Sequence, residues 1–142
     1  MREEIKRFDE LSVQELYEIY ALRVSVFVVE QNCAYQEVDE LDPGALHISL
    51  RDENGIAAYC RVLMRSENEA LVGRVIAVRR RQGLGSKVVG LAMEAARERF
   101  GAERIRVEAQ CYAAPMYEKL GFVKVSEEYL EDGIPHVTMI CE

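Results

Sequence analysis

Between Ala70 and Gly101 the chain reads as a strand, a glycine turn and a long helix joined without a spacer. Leu71, Val72, Val75, Ile76 and Val78 crowd a short stretch, Ala70 to Val78, as expected of a strand buried in part on both faces. The run ends on Arg79-Arg80-Arg81-Gln82 and turns through Gly83 and Gly85. Leu84, Val88, Val89, Leu91, Ala92, Ala95, Ala96 and Phe100 then recur with helical period until Gly101 offers a C-terminal cap. A strand feeding a helix in this way brings main-chain amides and the positive end of a helix dipole to the strand's edge, a natural place for an anion.

The flanking sequence supplies the rest of a sheet. Ile5 to Phe8 alternates as a first strand, Asp9 or Ser12 can cap a helix, and apolar residues from Val13 to about Val29 recur at three- and four-residue spacing. Residues from Gln31 to Gly44 are loop-like and acidic. Leu46 to Leu50 and Ile56 to Met64 flank Glu53-Asn54-Gly55 as a hairpin. Arg104 to Gln110 reads as a strand and Ala113 to Leu120 as a short helix stopped by Gly121. Phe122 to Val125 and His136 to Cys141 form a last hairpin with Asp132-Gly133 as its turn. The order predicts a mixed α/β (α+β) fold of about seven strands flanked by helices, without internal repeats. Residues 1–142 are expected to form a single domain, since 142 residues with 49% hydrophobic content can bury one core.

Composition narrows function by exclusion. A net charge of −7 disfavours nucleic acid, which needs a broad basic surface. The densest apolar run, Val24 to Val29, is too short to span a membrane or form a signal-peptide core, so a soluble, cytoplasmic protein with no membrane partner is expected. Cys33, Cys60, Cys111 and Cys141 make no C-x-x-C, and His47 and His136 are far apart, so reduced thiols and no metal are expected. Against the acidic background, Arg74, Arg79, Arg80, Arg81 and Lys87 imply one local anion site.

Gly83 and Gly85 alone fit either a tight turn or a close approach of backbone to a ligand. The adjacent arginines favour a ligand, because three in succession repel one another unless an anion lies among them. A dinucleotide fold would want a small residue where Val88 stands, and a Walker loop would want Gly-Lys-Ser/Thr where the order is Gly85-Ser86-Lys87, so neither NAD nor ATP is favoured.

Val75-Ile76-Ala77-Val78 followed by Arg80-Arg81-Gln82-Gly83-Leu84-Gly85 resembles the cofactor motif of the GNAT acetyltransferases, Gln/Arg-x-x-Gly-x-Gly/Ala after a strand. Gln110-Cys111-Tyr112-Ala113-Ala114-Pro115-Met116-Tyr117-Glu118-Lys119-Leu120-Gly121-Phe122 is similar to that family's second motif, with Gln110 for the usual Asn and Met116 for Leu. Arg23 to Gln31, Cys33, Tyr35, Glu37, Asp39, His47 and Tyr129 to His136 resemble the ElaA-like branch.

The resemblance implies a mainly antiparallel sheet splayed between its fourth strand, ending at Val78, and its fifth, ending at Gln110. It implies acetyl-CoA (coenzyme A) as donor, with the pantetheine arm lying in the gap. Main-chain groups of Ile76, Ala77 and Val78 would meet the arm and polarise the thioester carbonyl. Amides from Arg81 through Gln82, Gly83, Leu84 and Gly85 to Ser86 would hold the pyrophosphate, helped by the Arg80 and Arg81 side chains, and Gln110 and Tyr117 would flank the arm. Tyr117 would be the acid that protonates the departing thiolate; its alternative is a buried packing ring.

The acceptor expected is a primary amine, small-molecule or peptide, which attacks only after losing a proton. Glu30, Glu37, Asp39, Glu108, His47 and His136 are the candidates for that side of the site, the histidines being open to a structural role as well. Arg23 and Arg61 can bind a substrate carboxylate or cross-link helix and sheet. Two other functions stay open: a non-catalytic acyl-CoA sensor or partner-binding module, and an acyltransferase like the acyl-homoserine lactone synthases. A free edge strand near the C-terminus leaves monomer or homodimer open.

Overall fold

The computed structural model describes residues 1–79 and 82–142. Eight strands form one sheet: β1 (Arg2–Arg7), β2 (Leu46–Asp52), β3 (Gly55–Met64), β4 (Glu69–Ala77), β5 (Arg104–Gln110), β6 (Val123–Lys124), β7 (Tyr129–Glu131) and β8 (Ile134–Cys141). Their order is β1-β2-β3-β4-β5-β8-β6, with β7 also on β8, and every pair is antiparallel except β4 with β5. The helices are α1 (Val13–Val24), α2 (Leu84–Phe100) and α3 (Ala114–Lys119).

Helix α1 starts where Ser12 and Glu15 cap each other's main-chain amides, at 3.0 and 2.8 Å. It continues through Ser25–Glu30 in wider π-type turns, with Gln31 N–H donating to the Val26 carbonyl. Helix α2 ends at Gly101 in the left-handed region, as Gly101 alone among nearby residues permits without steric cost.

The two sheet faces differ in chemistry. Ile48, Leu50, Ala58, Cys60, Val62, Val72, Ile105, Val107 and Met139 pack with Val88, Val89, Ala92 and Ala96 of α2, all nearly inaccessible to solvent. Each valine, leucine, isoleucine and methionine among them contributes on the order of 1.5–3 kcal/mol by leaving water. Alternate residues on β2 and β3, including His47, Ser49, Arg51, Tyr59 and Arg61, are equally buried but polar. Arg51 joins Glu4 of β1 at 3.0 Å to Glu18 of α1 at 2.8 Å. Charge as well as apolar contact therefore binds α1 to its face.

The sequence expected the final hairpin to join Phe122–Val125 to His136–Cys141 through Asp132-Gly133. That turn instead joins β7 to β8, while β6 pairs with the far end of β8. Leu130 and Val123 are exposed, so neither short strand carries the alternating apolar pattern that marks a half-buried one.

Candidate active site

The site begins with an irregularity in β4. Tyr59 faces Ile76 and Arg61 faces Gly73, so Arg74 and Val75 together oppose Cys60 and form a bulge, with Arg74 at φ 55°. On the other edge, β4 pairs with β5 from Glu69–Arg104 only as far as Val72–Val107. Beyond that point the strands separate, and the β5 side of β4 has no partner strand from residue 73 onward. The gap opens into a cleft of about 1050 Å³, lined by Ile76 and Ala77 on β4, by Val78 just after it, and by Glu108, Ala109 and Gln110 on β5.

The start of α2 closes one end of this cleft. Gly83 holds φ 71°, and the helical ladder begins with Lys87 N–H donating to the Gly83 carbonyl at 3.1 Å. The amides of Leu84, Gly85 and Ser86 precede that bond, as the first amides of any helix do, and all three residues line the cleft with Gly83. A Cβ on Gly85 would lie 3.1 Å from Met116 Sδ, so the missing side chain lets α3 seat closely against the helix start.

The basic residues divide. Arg79 pairs with Asp52, Arg74 with Glu37 and Asp39, and Lys87 lies 3.7 Å from Glu3, so these three serve contacts within the fold. Gln82 borders the turn, exposed. Arg80 and Arg81, assigned by sequence to the pyrophosphate, lie outside the described residues.

Beneath the opposite wall of the cleft lies a network of three arginines and three carboxylates. Arg23 Nη1 and Nη2 donate to the two oxygens of Asp42 at 2.6 and 3.1 Å, and its Nε donates to Glu37 at 3.0 Å. Arg61 donates to Asp39 at 2.7 and 3.0 Å and to Asp42 at 2.9 Å. Burial pushes the Asp42 carboxyl up, but hydrogen bonds from Arg23 and Arg61 outweigh it and hold the group below its ordinary value. The network pins the acidic loop between α1 and β2 to the sheet and to the β4 bulge.

This placement sorts the acceptor-side candidates. Arg23 and Glu37 are buried within the network, so Arg23 takes its cross-linking role, and Asp39 and Arg61 reach the cleft already paired with each other. His47 lies away from the cleft, its Nε2 3.0 Å from the Asp42 carbonyl and its Nδ1 2.7 Å from the Tyr59 hydroxyl. Burial first, then nearby arginines, lower its basicity despite the Asp42 carbonyl and charge. Glu30, Glu108, Gln110 and His136 line the cleft with Tyr117. Gln110 Nε2 donates to Gln31 Oε1 at 3.4 Å, linking β5 to the end of α1.

Tyr117 is 6% exposed, meets Phe122 edge to face at 5.6 Å, and borders the cleft from α3. Desolvation raises its phenol above the ordinary tyrosine value. Tyr59 and the Arg74 bulge, which help order the wall, carry no signal in the sequence, and Asp42, part of the acidic loop, is taken up by Arg23 and Arg61; a buried arginine reaching loop carboxylates has no local sequence period.

The fold, a mostly antiparallel sheet that parts at its parallel pair β4–β5, is that of an acyl-transfer family, as comparison with known proteins shows. Residues 9–142 match the acetyltransferase (GNAT) domain family, and the chain belongs to that family. A UPF0039 protein of Schizosaccharomyces pombe is 45% identical over 96% of this chain and 94% of its own. The crystal structure of Escherichia coli ElaA is similar over 100% of both chains, with a TM-score of 0.93 at 34% identity. An acyl-CoA N-acyltransferase from Pseudomonas aeruginosa gives 0.92 at 36% identity, again over 100% of both chains.

Proposed function

We propose that the chain transfers the acetyl group of acetyl-CoA to a primary amine, on a small molecule or a peptide, by direct attack within a ternary complex. The observation that carries this reading is the gap between β4 and β5 ending at the start of α2. An extended thioester arm with amide groups of its own fits where a strand partner is missing, because β4 offers it main-chain hydrogen bonds. The α2 amides meet the pyrophosphate. Main-chain donors just past the bulge, near Ile76 and Ala77, stabilise the oxyanion that forms on the thioester's carbonyl oxygen.

The amine attacks that carbon from the side of the cleft bordered by α1 and the β7–β8 hairpin. Its nitrogen forms a bond to the acetyl carbon, the carbon–sulfur bond breaks, and Tyr117 gives its proton to the departing thiolate. In water a phenol near ~10 donating to a thiolate near ~8.5 is uphill by about 2 kcal/mol. Burial increases that gap, so donation accompanies bond cleavage rather than preceding it. The four free cysteines are consistent with the reducing cytoplasm we assign to it.

The test is release of free CoA thiol from acetyl-CoA in the presence of polyamines, aminoglycosides, amino acids and peptides with free N-termini. Acceptor-dependent release is expected with at least one class. Tight acetyl-CoA binding without release on any amine would replace the enzyme reading with a sensor.

A further inference from the structure

The two histidines are held in opposite protonation patterns. At His47, Nε2 faces a main-chain carbonyl, which only accepts, so Nε2 carries the proton and Nδ1 accepts from Tyr59. At His136 the arrangement is reversed. Nδ1 lies 2.7 Å from the Ile134 carbonyl, so Nδ1 carries the proton and Nε2 keeps its lone pair.

A carboxylate lies close to that lone pair. Oε2 of Glu131 is 3.4 Å from His136 Nε2, a separation at which two acceptors repel unless a proton donor serves them. The donor is the imidazolium's own N–H, a water, or an N–H of a ligand lying against both. His136 is 7% exposed and its ring stacks on Tyr129, 22° from parallel, so its orientation is fixed. The Glu131 side chain, 47% exposed, is open to an incoming cation. Both residues line the cleft that contains the β4 bulge and Tyr117. His136 stands opposite Gln110 on β5, with Glu108 on the same face of that strand. Tyr129 on β7, Asp132 in the turn and Cys33, whose Sγ lies 3.8 Å from the Asp132 carbonyl, are further titratable groups of this corner.

We propose that Glu131 and Nε2 of His136 together form the seat for the acceptor's ammonium group, Glu131 holding the cation and His136 taking its proton. This rests on the acetyl-transfer reading. The protons balance: the ammonium nitrogen loses one to His136, which passes it to solvent beside Glu131. A second leaves the nitrogen as the amide forms and replaces the proton that Tyr117 gives to the CoA thiolate. The neutral amine is generated where it is used, and a carboxylate turned to solvent recruits it from the charged form that dominates near neutral pH.

Nitrogen-15 NMR of the imidazole side chains tests this on the intact protein, whose only two histidines are distinguished by their tautomers and by a His136→Gln spectrum. Neutral His136 is expected as the Nδ1–H form and His47 as the Nε2–H form. Titration with n-butylammonium should shift the His136 Nε2 signal, and Glu131→Gln should weaken that response about tenfold while leaving the acetyl-CoA-induced thermal shift unchanged. An Nε2–H tautomer at His136, no response in the unaltered protein, or an equal response in Glu131→Gln would each overturn the proposal. Absence of any acetyl-CoA thermal shift in the unaltered protein would instead bring down the transfer reading and leave the ammonium seat standing as a binding site.

Discussion

At the scale of single residues the proposed chemistry turns on Tyr117, whose burial raises its phenol and keeps the proton on it until the carbon–sulfur bond breaks. Tyr117→Phe keeps the ring against Phe122 and removes only the hydroxyl. Turnover should fall about 10²-fold with acetyl-CoA binding little changed. Steady-state kinetics beside a binding measurement checks this, and a loss under about threefold would leave Tyr117 a packing residue. Which titratable side chains reach the cleft was only partly legible in the sequence. Glu108, Gln110 and Tyr117 follow from strand and helix positions in the motif. Whether His47 or His136 reached the cleft depended on pairings made by Asp42, Tyr59 and Ile134, and nothing local announces these.

At the scale of elements, the strand–turn–helix of β4 and α2 is the part the sequence states most fully, because apolar density, two glycines and a helical period agree there. The bulge inside β4 was hidden: Arg74 sits at φ 55° among apolar neighbours and reads as one more strand residue or one more basic residue of the loop. Gly83 is different, since its φ of 71° is one that a side chain resists. No atom lies within 4 Å of a Cβ built there, so Gly83→Ala should cost only conformational strain, about 1 kcal/mol in urea denaturation. A loss below about 0.3 kcal/mol would show that the turn relaxes out of the left-handed region.

At the scale of the whole molecule, the charged network joins α1, the acidic loop and the sheet. Asp42→Asn leaves Arg23 and Arg61 short of a carboxylate in a buried setting, for which a loss of about 3–5 kcal/mol is expected. A denaturation midpoint within about 1 kcal/mol of the original would mean that the two arginines find other partners. Acid should weaken the fold in two stages. Burial lowers the His47 value from 6.5, so just below that pH the unfolded chain binds a proton that the folded one refuses, and stability declines as pH drops.

The second stage belongs to carboxylates. Hydrogen bonds from Lys6 and the Ser12 amide lower Glu15 to about 2, and Asp39 and Asp42 are lowered by their arginines against the opposing effect of burial. Their stabilisation is complete above the unfolded values near ~4 and is lost as pH falls through the folded ones. Urea melts across pH should show the upper stage in the original protein and not in His47→Gln. A flat profile between pH 7 and 5 would contradict that assignment.

The gap between β4 and β5, ending at α2, is the proposed acyl-CoA site, and a thermal melt with and without acetyl-CoA, with NAD and ATP as controls, tests it. Ligand at 100 times its Kd stabilises by about 2.7 kcal/mol, so a rise of several degrees with acetyl-CoA alone is expected. No shift at millimolar acetyl-CoA, or equal shifts with all three nucleotides, would contradict it.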